Sequence, residues 1–103
     1  MPDIKSKRIT LLTKEKYRVD LEYNEDFAIL HLPTVDKFTK DVYLDMKFTV
    51  EDISEFLTTA GYPAMWIAIS PYDKVIKKFV GRLGFVYKGT AEDMDVYIYE
   101  GVS

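Results

Sequence analysis

The sequence predicts a single α+β domain on a mixed, mainly antiparallel sheet, and three observations carry this prediction. The chain has 103 residues, enough for one compact core and too few for two. Hydrophobic residues make up 48% of the chain and aromatic residues 15%, as is typical of a globular, sheet-rich protein. Short β-type segments come first, and two helix-type segments then flank one short apolar strand. We therefore predict one domain over residues 1–103, with its elements in the order β-β-β-β-α-β-α-β-β.

The first third of the chain predicts three strands. Residues 1–6 should form a loose terminus, and Arg8–Thr13, which follows, is short, apolar and β-branched. Tyr17–Tyr23 alternates aromatic or apolar residues with charged ones, which is the pattern of a half-buried strand. Phe27–Leu32 is apolar on both faces and predicts a covered central strand, paired with the preceding strand across an Asn- and Asp-containing turn.

The middle of the chain fits two patterns. Apolar residues alternate without a break over residues 42–50, but apolar residues also recur at helical spacing across the same region. The alternation, together with the capping-box spacing of Thr49 and Asp52, favours a strand over 42–50 and a helix from Val50 to Ala60. The alternative is one long helix from Phe38 to Ala60.

A second helix follows a buried strand. Met65–Ile69 is short and apolar on both faces, and with the helix before it completes a β-α-β unit whose two strands run parallel. Ser70 and Pro71 suit the cap and the first position of the next helix, with Asp73 three residues after the cap. The predicted inward residues of this helix are Val75, Ile76, Phe79, Val80 and Leu83, and the outward ones are Lys74, Lys77, Lys78 and Arg82. Gly84 should end the helix.

The chain closes on a hairpin, and the order of its last elements resembles a known family. Phe85–Tyr87 and Met94–Glu100 predict two strands joined by a turn over residues 88–93. The segment Val80-Gly81-Arg82-Leu83-Gly84-Phe85 resembles the Y-E-K-L-G-F phrase that ends the helix before the last hairpin of GNAT acyltransferases. The resemblance covers about residues 42–100 and implies a GNAT-like fold with an acetyl-CoA-binding unit over residues 41–60. Small GNAT-like phage proteins, virion proteins among them, look similar, which implies a viral origin.

The residues that carry catalysis in that family are replaced here. The family holds the cofactor pyrophosphate with a Q/R-x-x-G-x-G/A loop, and the corresponding segment, Lys47–Asp52, has no glycine and two carboxylates. The tyrosine that many members use as a general acid corresponds to Val80, and the asparagine after the second parallel strand corresponds to Ser70. Only residues 14–16 separate the first two strands, where family members insert helices. The resemblance therefore implies an uncovered sheet face, which favours a partner or a second copy.

The remaining titratable residues predict no catalytic or metal site. His31 is the single histidine and the chain has no cysteine, so a histidine pair or a thiolate site is impossible. We interpret His31 as a core or edge residue with a backbone partner rather than as a catalytic base. Asp45 and Glu51 could act as general bases near a strand end, but solvated carboxylates are the simpler interpretation.

Two surface patterns have structural explanations as well. Cross-strand packing explains Tyr87, Tyr97 and Tyr99 at least as well as an aromatic platform for a ligand does. The basic side of the last helix could bind phosphate or an acidic partner, but a solvated face is the usual outcome for such a pattern.

The sequence thus predicts a GNAT-like binding or structural protein without acyltransferase activity, which associates with a protein partner or with itself. The alternative is an N-acyltransferase with a non-standard cofactor loop, and only in that case do we expect a cofactor, acetyl-CoA. Its candidate cleft would comprise Lys47, Phe48, Thr49, Val50, Ser70 and Tyr72. The net charge of −3 argues against nucleic-acid binding, and no apolar run is long enough to cross a membrane. Without cysteines or a signal-peptide pattern, we expect a cytoplasmic protein of a host cell or, if viral, a virion protein.

Overall fold

The computed structural model describes residues 6–35 and 38–101, which form six strands and two helices. In chain order they are β1 (Lys7–Thr13), β2 (Tyr17–Tyr23), β3 (Ala28–Val35), α1 (Lys40–Thr59), β4 (Trp66–Ile69), α2 (Lys74–Arg82), β5 (Phe85–Ala91) and β6 (Met94–Tyr99). The strands form one sheet in the order β1-β2-β3-β4-β6-β5, with β3 and β4 parallel and all other neighbours antiparallel. The predicted α+β class and mixed sheet with one β-α-β unit are therefore confirmed. The unit begins with β3 rather than with a strand over residues 42–50, so the order has one strand fewer than predicted. The predicted loose terminus, residues 1–6, lies outside the described residues except for Ser6.

The strand register defines two faces of the sheet, because residues paired across neighbouring strands point to the same side. One row across all six strands consists of Ile9, Leu21, Leu30, Ile67, Tyr97 and Tyr87. The adjacent row, which points to the opposite side, consists of Arg8, Glu22, Ile29, Trp66, Ile98 and Val86. We call the side of the first row the helix face and the side of the second row the open face.

Both helices lie on the helix face. Tyr17 points to the helix face, because it is an even number of residues from Leu21 on β2. Its hydroxyl lies 3.0 Å from Thr49 Oγ1 of α1. Lys77 of α2 pairs over 2.8 Å with Asp95, which the register of β6 places on the same side. None of the described residues forms a helix over the open face. The described residues therefore form a two-layer sandwich in which no helix covers one surface of the sheet.

The core lies between the two helices and the helix face. The side chains that α1 buries recur every three or four residues and are Val42, Met46, Thr49, Val50, Ile53 and Leu57. From α2 and its cap the core receives Ile76, Phe79, Val80 and Leu83. This helical spacing turns one side of each helix toward the sheet, and burying that side stabilises both helices.

The interpretation of residues 42–50 as a strand is wrong, and the alternative of one long helix is correct. The helix begins after Thr39, whose hydroxyl accepts a hydrogen bond from a first-turn amide at 3.2 Å. Thr49, predicted as part of a cap, lies inside the helix and is buried. The alternation is incidental, because Leu44 and Phe48 point to solvent. Parallel strands also need a long crossover, and α1 supplies it between β3 and β4.

The N-cap of the second helix lies three residues after the predicted cap, Ser70. Asp73 is the N-cap, and its carboxylate accepts a hydrogen bond from a first-turn amide at 3.0 Å. Ser70 and Pro71 lie in a turn before the helix, closed by the Asp73 amide on the Ser70 carbonyl at 3.1 Å. Val75 is 58% exposed, not inward as predicted, because it lies a quarter turn from the centre of the buried stripe. Gly84 follows the helix with φ of 108°, in the conformation that a glycine stop adopts.

Two strands extend beyond their predicted ends. β3 continues through Pro33, because a register shift opposite Val19 takes this proline out of the regular hydrogen-bond ladder. β5 is longer than predicted, so the turn over residues 88–93 shrinks to two residues. Glu92 and Asp93 form it at φ of 51° and 65°, as a two-residue hairpin turn requires.

Candidate functional site

The parallel strands β3 and β4 part toward their carboxyl ends, the position at which ligands commonly bind in sheets of this kind. The two strands are paired only at Ile29 with Trp66 and at Leu30 with Ile67. Beyond these pairs lies a cavity of about 300 Å³, which we call the strand-end pocket. Residues that line it include Arg8, His31, Pro33, Ser70, Asp73 and Met94.

The titratable groups at the strand-end pocket already have partners within the chain. His31 Nε2 lies 2.9 Å from Glu22 Oε1, so its partner is a carboxylate rather than the predicted backbone group. A hydrogen bond from Ser6 at 2.7 Å, supported by the contact with His31, lowers the pKa of Glu22. Asp73 is engaged as the cap of α2. Within the described residues, no side-chain hydrogen bond joins His31 or Asp73 to the hydroxyl of Ser70, which also lines the pocket, so neither group activates it as a nucleophile.

The structure does not bring the six predicted cleft residues into one site. Ser70 lines the strand-end pocket, whereas Tyr72 projects into solvent from the turn before α2. The other four lie in the middle of α1 and are Lys47, Phe48, Thr49 and Val50. Because the segment is helical, these side chains point in different directions. Thr49 faces the sheet and Phe48 faces solvent, so no shared pocket forms.

The connection that could serve as a phosphate loop is the one before α1, residues 36–39, of which 38 and 39 are described. The sequence from Pro33 to Lys40 contains no glycine, so side chains limit the approach of an anion to the backbone. Thr39 occupies the cap, and Asp41 places a carboxylate in the first turn. A phosphate at this helix start would therefore meet negative charge.

A polar cluster that the sequence does not reveal joins the β1–β2 turn to α1. The Tyr17 hydroxyl donates a hydrogen bond to Asp45 Oδ2 at 2.6 Å and lies 3.0 Å from Thr49 Oγ1. Lys14 Nζ donates to the same oxygen of Asp45 at 2.9 Å. The contacts span about thirty positions of the chain, and only the packing of α1 on β2 brings the four residues together.

The protonation states in this cluster favour a structural role. Hydrogen bonds from Tyr17 and then Lys14 lower the pKa of Asp45, and the bond to Asp45 raises the pKa of Lys14. Burial raises the pKa of Tyr17. A general base works best with a pKa near the working pH, and Asp45 is shifted away from it. Glu51, the other predicted base, lies exposed on α1 apart from this cluster.

A second carboxylate is buried on the open face. Asp20 is 5% exposed and accepts hydrogen bonds from Arg8 Nη2 at 3.2 Å and Arg18 Nε at 3.1 Å. Burial works to raise its pKa, but the hydrogen bonds from Arg18 and Arg8 outweigh burial and lower it. From the sequence, the alternation of residue types along β2 predicts only that Asp20 lies on a polar face of the strand. That it is buried beneath arginine side chains depends on the pairing of β1 with β2, which brings Arg8 next to it.

The hairpin tyrosines pack on their neighbours. Tyr87 and Tyr97 face each other across β5 and β6 with ring centres 5.5 Å apart in an edge-to-face arrangement. The Tyr99 ring lies 5.2 Å from the Phe85 ring. Tyr97 is nearly buried, so a ligand would meet an exposed Tyr87 rather than a continuous aromatic platform.

The open face carries an apolar strip across four neighbouring strands. Its members are Ile29, Trp66, Ala68, Val86, Val96 and Ile98. Most of them are half-buried by one another, and Val86 is 43% exposed. Charged residues of β1 and β2 border the strip on one side. A contiguous apolar surface with a polar border is the usual appearance of a protein-binding site.

No protein-family model, curated protein or solved structure matches the chain. Neither helix in the described ranges is long and apolar enough to span a membrane. Within residues 6–35 and 38–101, no cluster of three or more potential ligands could hold a metal ion.

Proposed function

We propose that this chain is a GNAT-like binding or structural protein, phage-encoded and without acyltransferase activity, acting in the host cytoplasm or the virion. It docks another protein on the apolar strip of its open face. The proposal rests on the row of Ile29, Trp66, Ile98 and Val86, which no helix of the described residues covers because α1 and α2 both lie on the other face.

The charges beside the strip favour a partner surface that is itself apolar. Asp20 is saturated by its two arginines, and Glu22 is bonded to His31 and Ser6. Because these carboxylates are already hydrogen-bonded within the chain, they contribute little to binding a charged partner. Binding on the strip would therefore be driven mainly by removal of apolar surface from water.

Three features support the absence of acyl transfer. No glycine precedes α1, and Asp41 occupies its first turn, where a cofactor phosphate would bind. Val80, the counterpart of the general acid in the resemblance, has no proton to donate and is completely buried. Calorimetric titration with acetyl-CoA and with CoA tests this point, and we expect no heat of binding. Micromolar affinity for either ligand would contradict it.

The sheet edges are less suited to a partner than the open face. The edge strands β1 and β5 each carry a register shift, between Thr10 and Leu12 and between Tyr87 and Gly89. Bulges of this kind interrupt the regular ladder that a docking strand would need. This argues against a regulatory partner that adds a strand to the sheet.

Val86→Glu tests the docking face, because it places a charge at the most exposed position of the strip. We expect affinity capture from a lysate of the source cell to recover a specific protein with the wild type and to lose it with this variant. Tyr72→Ser is the control and should retain that protein, because Tyr72 lies on the exposed turn before α2 and is not a member of the strip. Equal capture by the wild type and Val86→Glu would contradict docking on the strip.

A working N-acyltransferase remains the second candidate, favoured by the strand-end pocket. Beyond Leu30 and Ile67 the facing backbone groups of β3 and β4 have no partner strand on that side, so they could bind an acyl carbonyl. Ala68→Phe would fill this pocket. Transfer of acetyl from acetyl-CoA to a primary amine, lost in Ala68→Phe, would favour this candidate. No transfer by the wild type would rule it out.

A further inference from the structure

The outward side of α1 combines exposed aromatic rings with unpaired carboxylates. Phe48 is 63% exposed and Phe56 60%, which is unusual for phenylalanine, and Leu44 lies one turn before Phe48. Around these rings lie the exposed carboxylates of Glu51, Asp52 and Glu55. None of the three forms an ion pair with a residue in the described ranges. We call these six residues the acidic helix surface.

The outward side of α2 has the opposite charge. Of the four cations predicted to point outward, Lys77 pairs with Asp95, and no ion pair to a described residue engages the other three. These three cations line a groove of about 360 Å³ together with Phe38, Val75 and Phe79. We call the groove, lined by Phe38, Lys74, Val75, Lys78, Phe79 and Arg82, the basic groove. Its floor is aromatic, since the Phe38 ring packs edge-on against Phe79 with centres 4.9 Å apart.

The two surfaces belong to one side of the molecule. The Tyr43 hydroxyl of α1 donates a hydrogen bond to the Arg82 carbonyl at 3.0 Å, and the Tyr43 ring lies 6.0 Å from that of Phe79. The helices are therefore packed in a single layer over the sheet. Their outward sides present an acidic half with protruding rings beside a basic half with an apolar groove.

We propose that a second copy of this chain docks on the helix layer, with the acidic helix surface of each protomer in the basic groove of the other. A two-fold axis makes both contacts at once, because each protomer carries one surface of each kind. Three carboxylates then face three cations in each of the two contacts. The exposed phenylalanine rings of α1 leave water and enter the groove beside Phe38 and Val75.

Charge complementarity selects a second copy over other occupants. A cationic partner would engage the acidic helix surface and leave the basic groove empty, and an anionic partner would do the reverse. A second copy engages both and leaves no charge of either surface unopposed. This interface lies on the opposite side of the sheet from the apolar strip, so the proposal does not depend on the proposed function.

Sedimentation velocity over a range of protein concentrations tests the proposal. We expect a dimer at low salt that weakens as salt rises, because exposed charges are screened beyond about 8 Å at physiological ionic strength. Reversing either surface should weaken dimerisation at least about 100-fold, because like charges then face each other. The two triple variants are Glu51→Lys, Asp52→Lys, Glu55→Lys and Lys74→Glu, Lys78→Glu, Arg82→Glu.

Mixing the two triple variants gives the decisive result. One then has two basic surfaces and the other two acidic surfaces, so we expect a heterodimer from two chains that are each monomeric alone. A charge-matched control on other exposed positions should dimerise like the wild type, and it consists of Glu15→Lys, Glu25→Lys and Asp26→Lys. Far-UV circular dichroism checks that every variant is folded.

Phe48→Ser provides a second variant with little risk to folding, because this side chain is mostly exposed. We expect it to weaken the dimer about tenfold or more. At a protein concentration at which both proteins are monomeric, its urea unfolding midpoint should equal that of the wild type. A wild type that is monomeric at every concentration would overturn the proposal. A dimer that survives both charge reversals, or folded triple variants that do not associate when mixed, would overturn it as well.

Discussion

Replacing Tyr17 with phenylalanine isolates the hydrogen bonds that fasten α1 to the first hairpin. The ring is 2% exposed and stays in place in the variant, so the change removes the hydroxyl and little packing. That hydroxyl donates to Asp45 at 2.6 Å and lies 3.0 Å from Thr49, itself buried. The variant therefore loses the hydrogen bond to the Asp45 carboxylate, and the buried hydroxyl of Thr49 loses one of its hydrogen-bond partners.

The loss in unfolding free energy that we expect for Tyr17→Phe depends on whether Asp45 and Thr49 find other hydrogen-bond partners. A hydrogen bond to a charged group contributes about 1.5–3 kcal/mol to the free energy of unfolding. The Asp45 side chain is 49% exposed and keeps Lys14 at 2.9 Å, so water and Lys14 offset part of the loss. Lys14 also remains 3.4 Å from Thr49. We therefore expect Tyr17→Phe to lower the free energy of unfolding by about 2 kcal/mol.

The pH dependence gives the same prediction a second readout. The pKa of Asp45 is lowered in the folded state, so its contribution is present above about pH 4 and is lost as pH falls through the folded-state value. Because the Tyr17 bond is the main cause of that lowering, the acid-dependent loss should shrink in Tyr17→Phe. The pKa of Tyr17 is raised, so its contribution is present below about pH 10 and is lost as pH rises through the folded-state value. The variant should lack this alkaline component.

Urea unfolding followed by far-UV circular dichroism measures both effects. Tyr23→Phe is the matched control, because Tyr23 lies on the same strand and its hydroxyl bonds to none of the described residues; we expect a change within about 0.5 kcal/mol. A double-mutant cycle with Asp45→Asn should show coupling of about 1 kcal/mol or more. If Tyr17→Phe costs no more than Tyr23→Phe, or if the cycle shows no coupling, the cluster does not hold α1 to the hairpin.

Three further predictions concern the end of α2, the open face and the core. Gly84→Ala should lower the free energy of unfolding, measured by chemical denaturation, by about 2 kcal/mol or more, because its φ is 108° and a Cβ would lie 2.9 Å from the Gly101 carbonyl carbon. Gly81→Ala is the control and should be neutral or stabilising in the same assay, because a Cβ there meets open space. Asp20→Asn should flatten the fall in stability below about pH 4, since the folded-state pKa of Asp20 is lowered, and an unchanged acid titration of the far-UV signal would contradict this. Met46→Ala should lower the free energy of unfolding, measured in urea, by about 2–5 kcal/mol, because this side chain of α1 is completely buried. A loss below about 1 kcal/mol would contradict this and show that the surrounding side chains close the cavity.

The sequence by itself determined most of the elements, because their signals are local. Strict alternation in Tyr17–Tyr23 marks a half-buried strand, Gly84 marks a helix end, and the apolar run Met65–Ile69 marks a buried strand. Each of these depends on a few neighbouring residues whose backbone preferences agree. The α+β class follows from their order.

The tertiary structure decided the element over residues 42–50. Val42, Met46 and Val50 are spaced by four, which satisfies both a strand period of two and a helical period of 3.6. Local pattern cannot separate the two, since the same side chains turn inward in either case. The need for a crossover between β3 and β4, together with the Thr39 cap, resolves it as a helix.

The tertiary structure also decided every candidate site. The Tyr17 cluster, the strand-end pocket and the enclosed Asp20 each join residues far apart in the chain, brought together by register and helix placement. Both helices also lie on one face, which leaves the opposite face open. No local preference encodes that choice, because it depends on which side of the finished sheet buries the most apolar surface.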